Sequence, residues 1–266
     1  MTTFSTVTIP STSVEAAFYQ PTGKYPPLFY GAPSTHGNMV SVNAGNSQGL
    51  YVGGEGINKG FMHALSHQNT GEYATRHLSL LRQARAGGAK SEAYKTEDPT
   101  AFSLVDDNHI IKNLNNGNPG GENDGLAFVD IFGKDASGGS LAPHGVSQNT
   151  GMLYACPPFG YNYVDDAAFL AACGDMGANC ALAIGAYNKI ASANGQPLIS
   201  VMRLCLFSSG YYNTNKVALD KIALAIYDGL SNALIKDDCG LTRVEMPYST
   251  NAHDPLYAAV KAKIDP

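Results

Sequence analysis

Apolar stretches and turn-forming clusters alternate along the chain, and the length and period of each stretch predict an element. NMVSVNAG (38–45) reads as a buried strand running into a turn. PLISVMRLCLF (197–207) reads as a strand buried on both faces, because it shows no alternation. LAFVDIF (126–132), MLYACPP (152–158) and LTRVEMP (241–247) predict three more strands. Helical character runs over 60–88, where Leu78, Leu80 and Leu81 precede a stop at Gly87 and Gly88, and over the Ala-rich stretch 164–195. A further helix is expected over 216–235, with Ala218, Ile222, Ala225 and Leu230 near one face. A last one is expected over 254–264, with Asp254 as N-cap and Pro255 in its first position. Residues 1–37 read as irregular with one short strand, and 96–150 as loop-rich around the strand at 126–132. Strands and helices alternating in this way predict an α/β sheet with helices on both faces.

Composition narrows the partners. With 266 residues, 44% of them hydrophobic, the chain has enough apolar material for a sizeable core. Only 15% of residues are charged, and the net charge is −5, so no broad basic face is expected, duplex nucleic acid is a poor candidate, and no nucleic acid is expected as a partner. No run of eighteen apolar residues occurs, so no membrane partner is expected. The N-terminus lacks a basic segment followed by an apolar stretch, so a conventional signal peptide is not expected. The five cysteines form no CxxC pair, and Cys156 and Cys205 sit in apolar runs. That pattern predicts buried thiols in a reducing, cytoplasmic setting (the cell's own or another's), with no zinc site, disulfide framework or cofactor.

Two strand–loop–helix units carry the candidate chemistry. In residues 39–65 a strand leads through an Asn-bearing turn into a loop with Gly49, Gly53, Gly54 and Gly56, then a helix starting near Ile57. Glycines there allow close approach of a ligand, and the helix N-terminus offers free N–H groups to an anion such as a pyrophosphate. In the second unit the strand 197–207 leads into SSGYYNTN (208–215). There Ser208, Ser209 and Gly210 offer hydroxyls and N–H groups, while Tyr211 and Tyr212 offer flat faces and hydroxyls to a ribose or base. Both loops leave strand C-termini, where open α/β sheets collect ligands. Alone, either loop is more often a plain connection, and neither meets GxxxxGK[ST] or GxGxxG.

Together these residues resemble the macrodomain family of ADP-ribose-binding and ADP-ribosyl-hydrolase proteins. VNAGNSQGLYVGGEGINKGF is similar to the family's first signature and LCLFSSGYYNTNKVALDKIALAIYDGL to its second; GEYATRHLSLLRQARAGGAKSEAYKTE is similar to the stretch between them. The resemblance covers about 38–97 and 151–264. It implies a single domain over 1–266, a three-layer α/β/α mixed sheet with an N-terminal extension (1–37) and an inserted loop-rich segment (98–150). By this resemblance Asn46 matches the Asn that holds the distal ribose beside the scissile bond, and Asn43 and Ala44 shape its turn. Gly53, Gly54, Gly56 and Ile57 match the first phosphate loop; Ser208, Ser209, Gly210, Tyr211 and Tyr212 match the second, with Tyr212 near the distal ribose.

The chain departs from the pattern at four places. The loop between Asn46 and Gly54 is longer, Glu55 replaces the middle glycine, and Asn58 stands where one hydrolase branch has Asp. No Asp precedes Asp98, so the acidic residue that grips adenine is missing, and Tyr248 or a residue of the insertion is the candidate to hold the base. An amide at Asn58 orients a water but takes no proton, which leaves Glu55 as the nearest carboxylate for a base; its bland alternative is a solvent-facing Glu near a helix N-terminus. His36 and the insertion residues Asp106, Asp107, His109 and Asp124 are weaker candidates, the insertion residues reading best as a solvated loop. Asp165 and Asp166 most simply cap a helix. His63 and His67 lie i, i+4 on a predicted helix with no third metal ligand in view. Two functions follow from the resemblance: hydrolysis of the bond between ADP-ribose and a modified protein, or a non-catalytic reader of ADP-ribose or a related nucleotide.

Overall fold

The computed structural model describes residues 2–9, 37–45, 127–131, 149–193, 195–208, 210–249 and 262–263. They form a six-stranded mixed sheet and two long helices. The strands are β1 (Thr3–Ile9), β2 (Met39–Ala44), β3 (Ala127–Ile131), β4 (Asn149–Ala155), β5 (Val201–Arg203) and β6 (Arg243–Ser249), in the spatial order β1-β6-β5-β2-β4-β3. All neighbours pair parallel except β3, which closes the edge antiparallel to β4. The helices are α1 (Asp166–Ala193) and α2 (Leu219–Lys236). This is the α/β class expected from the sequence.

The core explains the layering. Val40, Val42, Leu153, Met202 and Val244 point to one face of the sheet and share a cluster with Phe169, Met176, Ile184, Ile222, Ile226 and Leu230 of the helices. Strand alternation turns Met39, Met152 and Val201 to the other face, where all three are fully buried as well. A parallel sheet buried on both faces is the arrangement its uninterrupted apolar strands require. On that second face Arg203 of β5 donates from Nε (2.8 Å) and Nη2 (2.6 Å) to Oε2 of its cross-strand partner Glu245, tying β5 to β6.

α1 starts as expected, with Asp165 Oδ1 accepting the Ala168 N–H at 2.8 Å. It stops at Gly195, whose φ of +63° a side chain would resist. Long and apolar enough to cross a membrane by composition alone, α1 instead packs on α2, β3 and β4, as a core helix does. The two helices approach closely because their contact is glycine: a Cβ on Gly229 would meet the Gly174 carbonyl oxygen, and one on Gly177 the Ile226 carbonyl oxygen.

Some elements differ from the sequence expectation. The one short strand expected within 1–37 is residues 3–9, an edge strand paired along its length with β6, and residues 10–36 lie outside the described residues. β5 spans three residues instead of eleven. Asn188 of α1 takes both backbone groups of Ile199, accepting its N–H and donating to its carbonyl at 2.7 Å, so the chain at Ile199 is bound to a helix rather than a ladder. The buried face of α2 is Ile222, Ala223, Ile226, Leu230 and Ala233; Ala218 is the exposed N-cap and Ala225 only half-buried. The predicted helix 60–88 lies outside the described residues, as does that over 254–264 apart from helical 262–263.

Candidate functional site

The ends of β2, β4 and β5 meet at one edge of the sheet. β2 lies between β4 and β5 and runs parallel to both, so all three chains leave the sheet on the same side. Beyond β2 the Gly45 N–H is shared between the Ala155 carbonyl at the end of β4 (2.8 Å) and the Asn43 carbonyl (3.0 Å). On the other side the Ala44 N–H donates to the Cys205 thiol just after β5; burial pushes that thiol up to about 12, and the Ala44 contact pulls it partly back. Asn43 is fully buried and Ala44 half-buried. The end of β2, at Ala44 and Gly45, is therefore fixed from both flanks.

The second loop is anchored through Ser208. This residue is 4% exposed and holds φ of +59°, a left-handed conformation that costs a non-glycine residue energy. Its Oγ donates to the Pro158 carbonyl at 2.7 Å, joining the loop after β5 to the loop after β4. Beneath it lies the Cys173 thiol of α1, raised by burial to about 12 and lowered in part by its bond to Ser208. Gly210 accepts the Asn213 N–H at 2.9 Å, and the Asn213 amide bonds both ways to the backbone of Val217 (2.8 and 2.7 Å), closing the loop onto α2.

A neighbouring loop that the sequence reasoning passed over completes this edge. The Gly160 N–H donates to the Tyr212 carbonyl at 2.8 Å, and a Cβ on Gly160 would come within 2.9 Å of Thr214 Oγ1 and 3.0 Å of that carbonyl. Glycine is needed there for the two loops to touch. Phe159 sits among three tyrosines, with ring centroids 5.1 Å from Tyr212, 5.9 Å from Tyr211 and 6.1 Å from Tyr161. The signal was present in the sequence: PPFGYNY follows a predicted strand just as SSGYYNTN does.

Of the predicted site residues, the structure brings Asn43, Ala44, Ser208, Gly210, Tyr211 and Tyr212 to this edge. Tyr248 lies on β6 opposite Thr8 of β1, two strands away from β2, and nothing of its side chain is described. Asn46, Gly53, Gly54, Glu55, Gly56, Ile57, Asn58 and Ser209 lie outside the described residues, as do His36, His63, His67, Asp106, Asp107, His109 and Asp124. Loop 204–218 carries no carboxylate or imidazole. Among the described residues no group of three or more His, Cys, Asp or Glu is placed to hold a metal ion.

The described edge thus joins the turn of the first signature and the loop of the second, on adjacent strands of a mixed α/β sheet. No family model matches the chain. It is similar to the DNA/RNA-binding proteins ALBA4 of Plasmodium yoelii yoelii (26% identical over 227 residues) and Plasmodium falciparum (25% over 229), in each case over 81% of this chain. The chain spans 58% of the length of these curated relatives. Among solved structures it is similar to an Oceanobacillus iheyensis macrodomain variant (14% identity, TM-score 0.46, 86% of this chain and 87% of the other). It is also similar to a Trypanosoma brucei macrodomain in complex with ADP-ribose (15%, 0.41, 86% and 64%). A third is a Deinococcus radiodurans poly(ADP-ribose) glycohydrolase variant in complex with ADP-ribose (10%, 0.42, 99% and 86%).

Proposed function

We propose that this macrodomain-like chain binds ADP-ribose and hydrolyses the bond linking it to a modified protein side chain. The observation that supports the binding is that β2 and β5, the strands after which the two signature loops follow in the chain, are parallel neighbours ending at the same edge of the sheet. A pyrophosphate held between them would meet backbone N–H groups on both sides. Gly210 opens the second loop to phosphate, and the half-buried Tyr212 offers a face to the distal ribose. For hydrolysis, Asn46 would orient the distal ribose and Glu55 accept the proton of the attacking water, while Asn58 orients that water. The five cysteines, all free and buried, support a reducing cytoplasmic site of action.

Release of ADP-ribose from a mono-ADP-ribosylated protein tests the catalytic part. Asn46→Ala is expected to abolish turnover while leaving ADP-ribose affinity within about tenfold, roughly 1.4 kcal/mol. Unchanged turnover in that variant removes the assigned role. Absence of turnover in the unaltered chain, with binding intact, makes it a non-catalytic reader.

A second reading, nucleic-acid binding, is favoured by the name of the two Plasmodium relatives. The net charge of −5 opposes a duplex, which is gripped through its phosphates, and so points this reading to single strands.

A further inference from the structure

Tyr161 and Tyr211 are 79% and 84% exposed, far more than aromatic side chains that serve only packing. Both lie against Phe159, whose ring is nearly parallel to that of Tyr211 (14°) and tilted by 31° from that of Tyr161. The half-buried Tyr212 backs the group at 5.1 Å from Phe159 and 6.2 Å from Tyr211. The backbone beneath is held by the Gly160–Tyr212 hydrogen bond and by turns at Phe159–Asn162 and Gly210–Asn213. A set of aromatic rings held in water on a braced backbone is a contiguous exposed patch of the kind that marks a recognition site.

From this geometry we infer that Phe159, Tyr161 and Tyr211 form a stacking platform for unpaired bases of a single-stranded nucleic acid. The inference rests on the second reading above and gives it a site. Each exposed tyrosine turns one side to Phe159 and leaves most of its ring open, so a base stacks on it without displacing protein. Around the rings the loop offers the exposed Thr214 and Asn215, neutral groups suited to base edges, while Lys216 is the single cation of loop 204–218. Stacking therefore carries the affinity and phosphate contacts contribute little. Such a site accepts any base, and its salt dependence is shallow, unlike that of a basic groove.

Fluorescence anisotropy of a labelled oligouridylate with the full chain, beside the matching RNA duplex, tests this. Micromolar binding of the single strand, weak binding of the duplex, and less than about tenfold loss between about 50 and 200 mM salt are expected. Tyr161→Ala and Tyr211→Ala should each weaken binding roughly tenfold or more, and Tyr161→Phe should retain it, because the ring and not the hydroxyl does the stacking. Full binding by both alanine variants overturns the platform while leaving the nucleic-acid reading standing. No binding of the single strand overturns both. Tight duplex binding with a steep salt dependence overturns the stacking account. Titration of Tyr161→Ala with ADP-ribose, expected unchanged, shows that the variant is folded and keeps this test separate from the ADP-ribose reading.

Discussion

Replacing Ser208 tests how the second loop is held, because its two structural roles pull in opposite directions. The hydroxyl closes a buried 2.7 Å bond to the Pro158 carbonyl, while the backbone sits at φ +59°. In Ser208→Ala the Cβ stays and the backbone strain is unchanged, so the variant isolates what the hydroxyl holds, the Pro158 carbonyl together with the Cys173 thiol. Leaving a buried carbonyl unsatisfied costs about 1–3 kcal/mol. For a chain of this size that lowers Tm by about 2–4 °C per kcal/mol. Ser208→Gly loses the same bond but also the left-handed penalty, about 1–2 kcal/mol for a residue with a Cβ. Glycine adds chain entropy to the unfolded state worth about 0.5–1 kcal/mol, so a net gain over alanine of about 0.5–1 kcal/mol remains. The expected order of stability is unaltered chain, then Ser208→Gly, then Ser208→Ala, read by urea unfolding at neutral pH. Freed from Pro158, the loop populates its binding geometry less often, and ADP-ribose affinity should fall by up to about tenfold in both variants. An alanine variant as stable as the unaltered chain would refute the role of the hydroxyl. A glycine variant less stable than the alanine one would refute the strain.

Gly229→Ala should separate α1 from α2, since the new methyl would overlap the Gly174 carbonyl oxygen. Overpacking of about 1–3 kcal/mol exceeds the roughly 1 kcal/mol that alanine gains in a helix, and thermal unfolding should show a lowered Tm rather than a raised one. The buried thiols predict a pH dependence. The Cys173 and Cys205 thiols rise from 9.0 to about 12 on burial, so the folded chain holds protons that the unfolded chain gives up. Their contribution is fully present below pH 9 and lost as pH rises toward 12, and urea midpoints should fall across that window. A thiol-specific disulfide reagent at pH 8 should label none of the five cysteines in the folded chain and all of them in urea; rapid labelling of Cys173 in the folded chain would contradict its burial.

Much of this fold was legible in the sequence because its elements follow simple periodic rules. The strands at 38–45, 126–132 and 152–158 and the helix at 164–195 occur within a few residues of their predicted bounds, and Asp165 caps α1 as its type and place require. What the sequence hid was competition for backbone groups. Nothing in PLISVMRLCLF tells that Asn188, eleven residues before Ile199, takes both backbone groups of that residue and shortens the strand. The short strand expected within 1–37 could not be placed at 3–9 from the sequence, because β1 pairs with β6, more than two hundred residues later. At the site, the small-residue loop and its two tyrosines were readable from type and spacing. The type and place of Phe159, Gly160 and Tyr161 were equally readable in PPFGYNY, but their contact with the second loop was not, because it depends on two loops distant in sequence meeting at one edge.

The claim that the two loops form one anion-binding site is tested most directly by calorimetric titration of the chain with free ADP-ribose, with AMP and ADP as controls and Gly210→Val in parallel. Micromolar binding of ADP-ribose in preference to AMP and ADP, lost when the valine side chain fills the phosphate space, is the predicted result. No binding to the unaltered chain, or equal affinity in Gly210→Val, would contradict it.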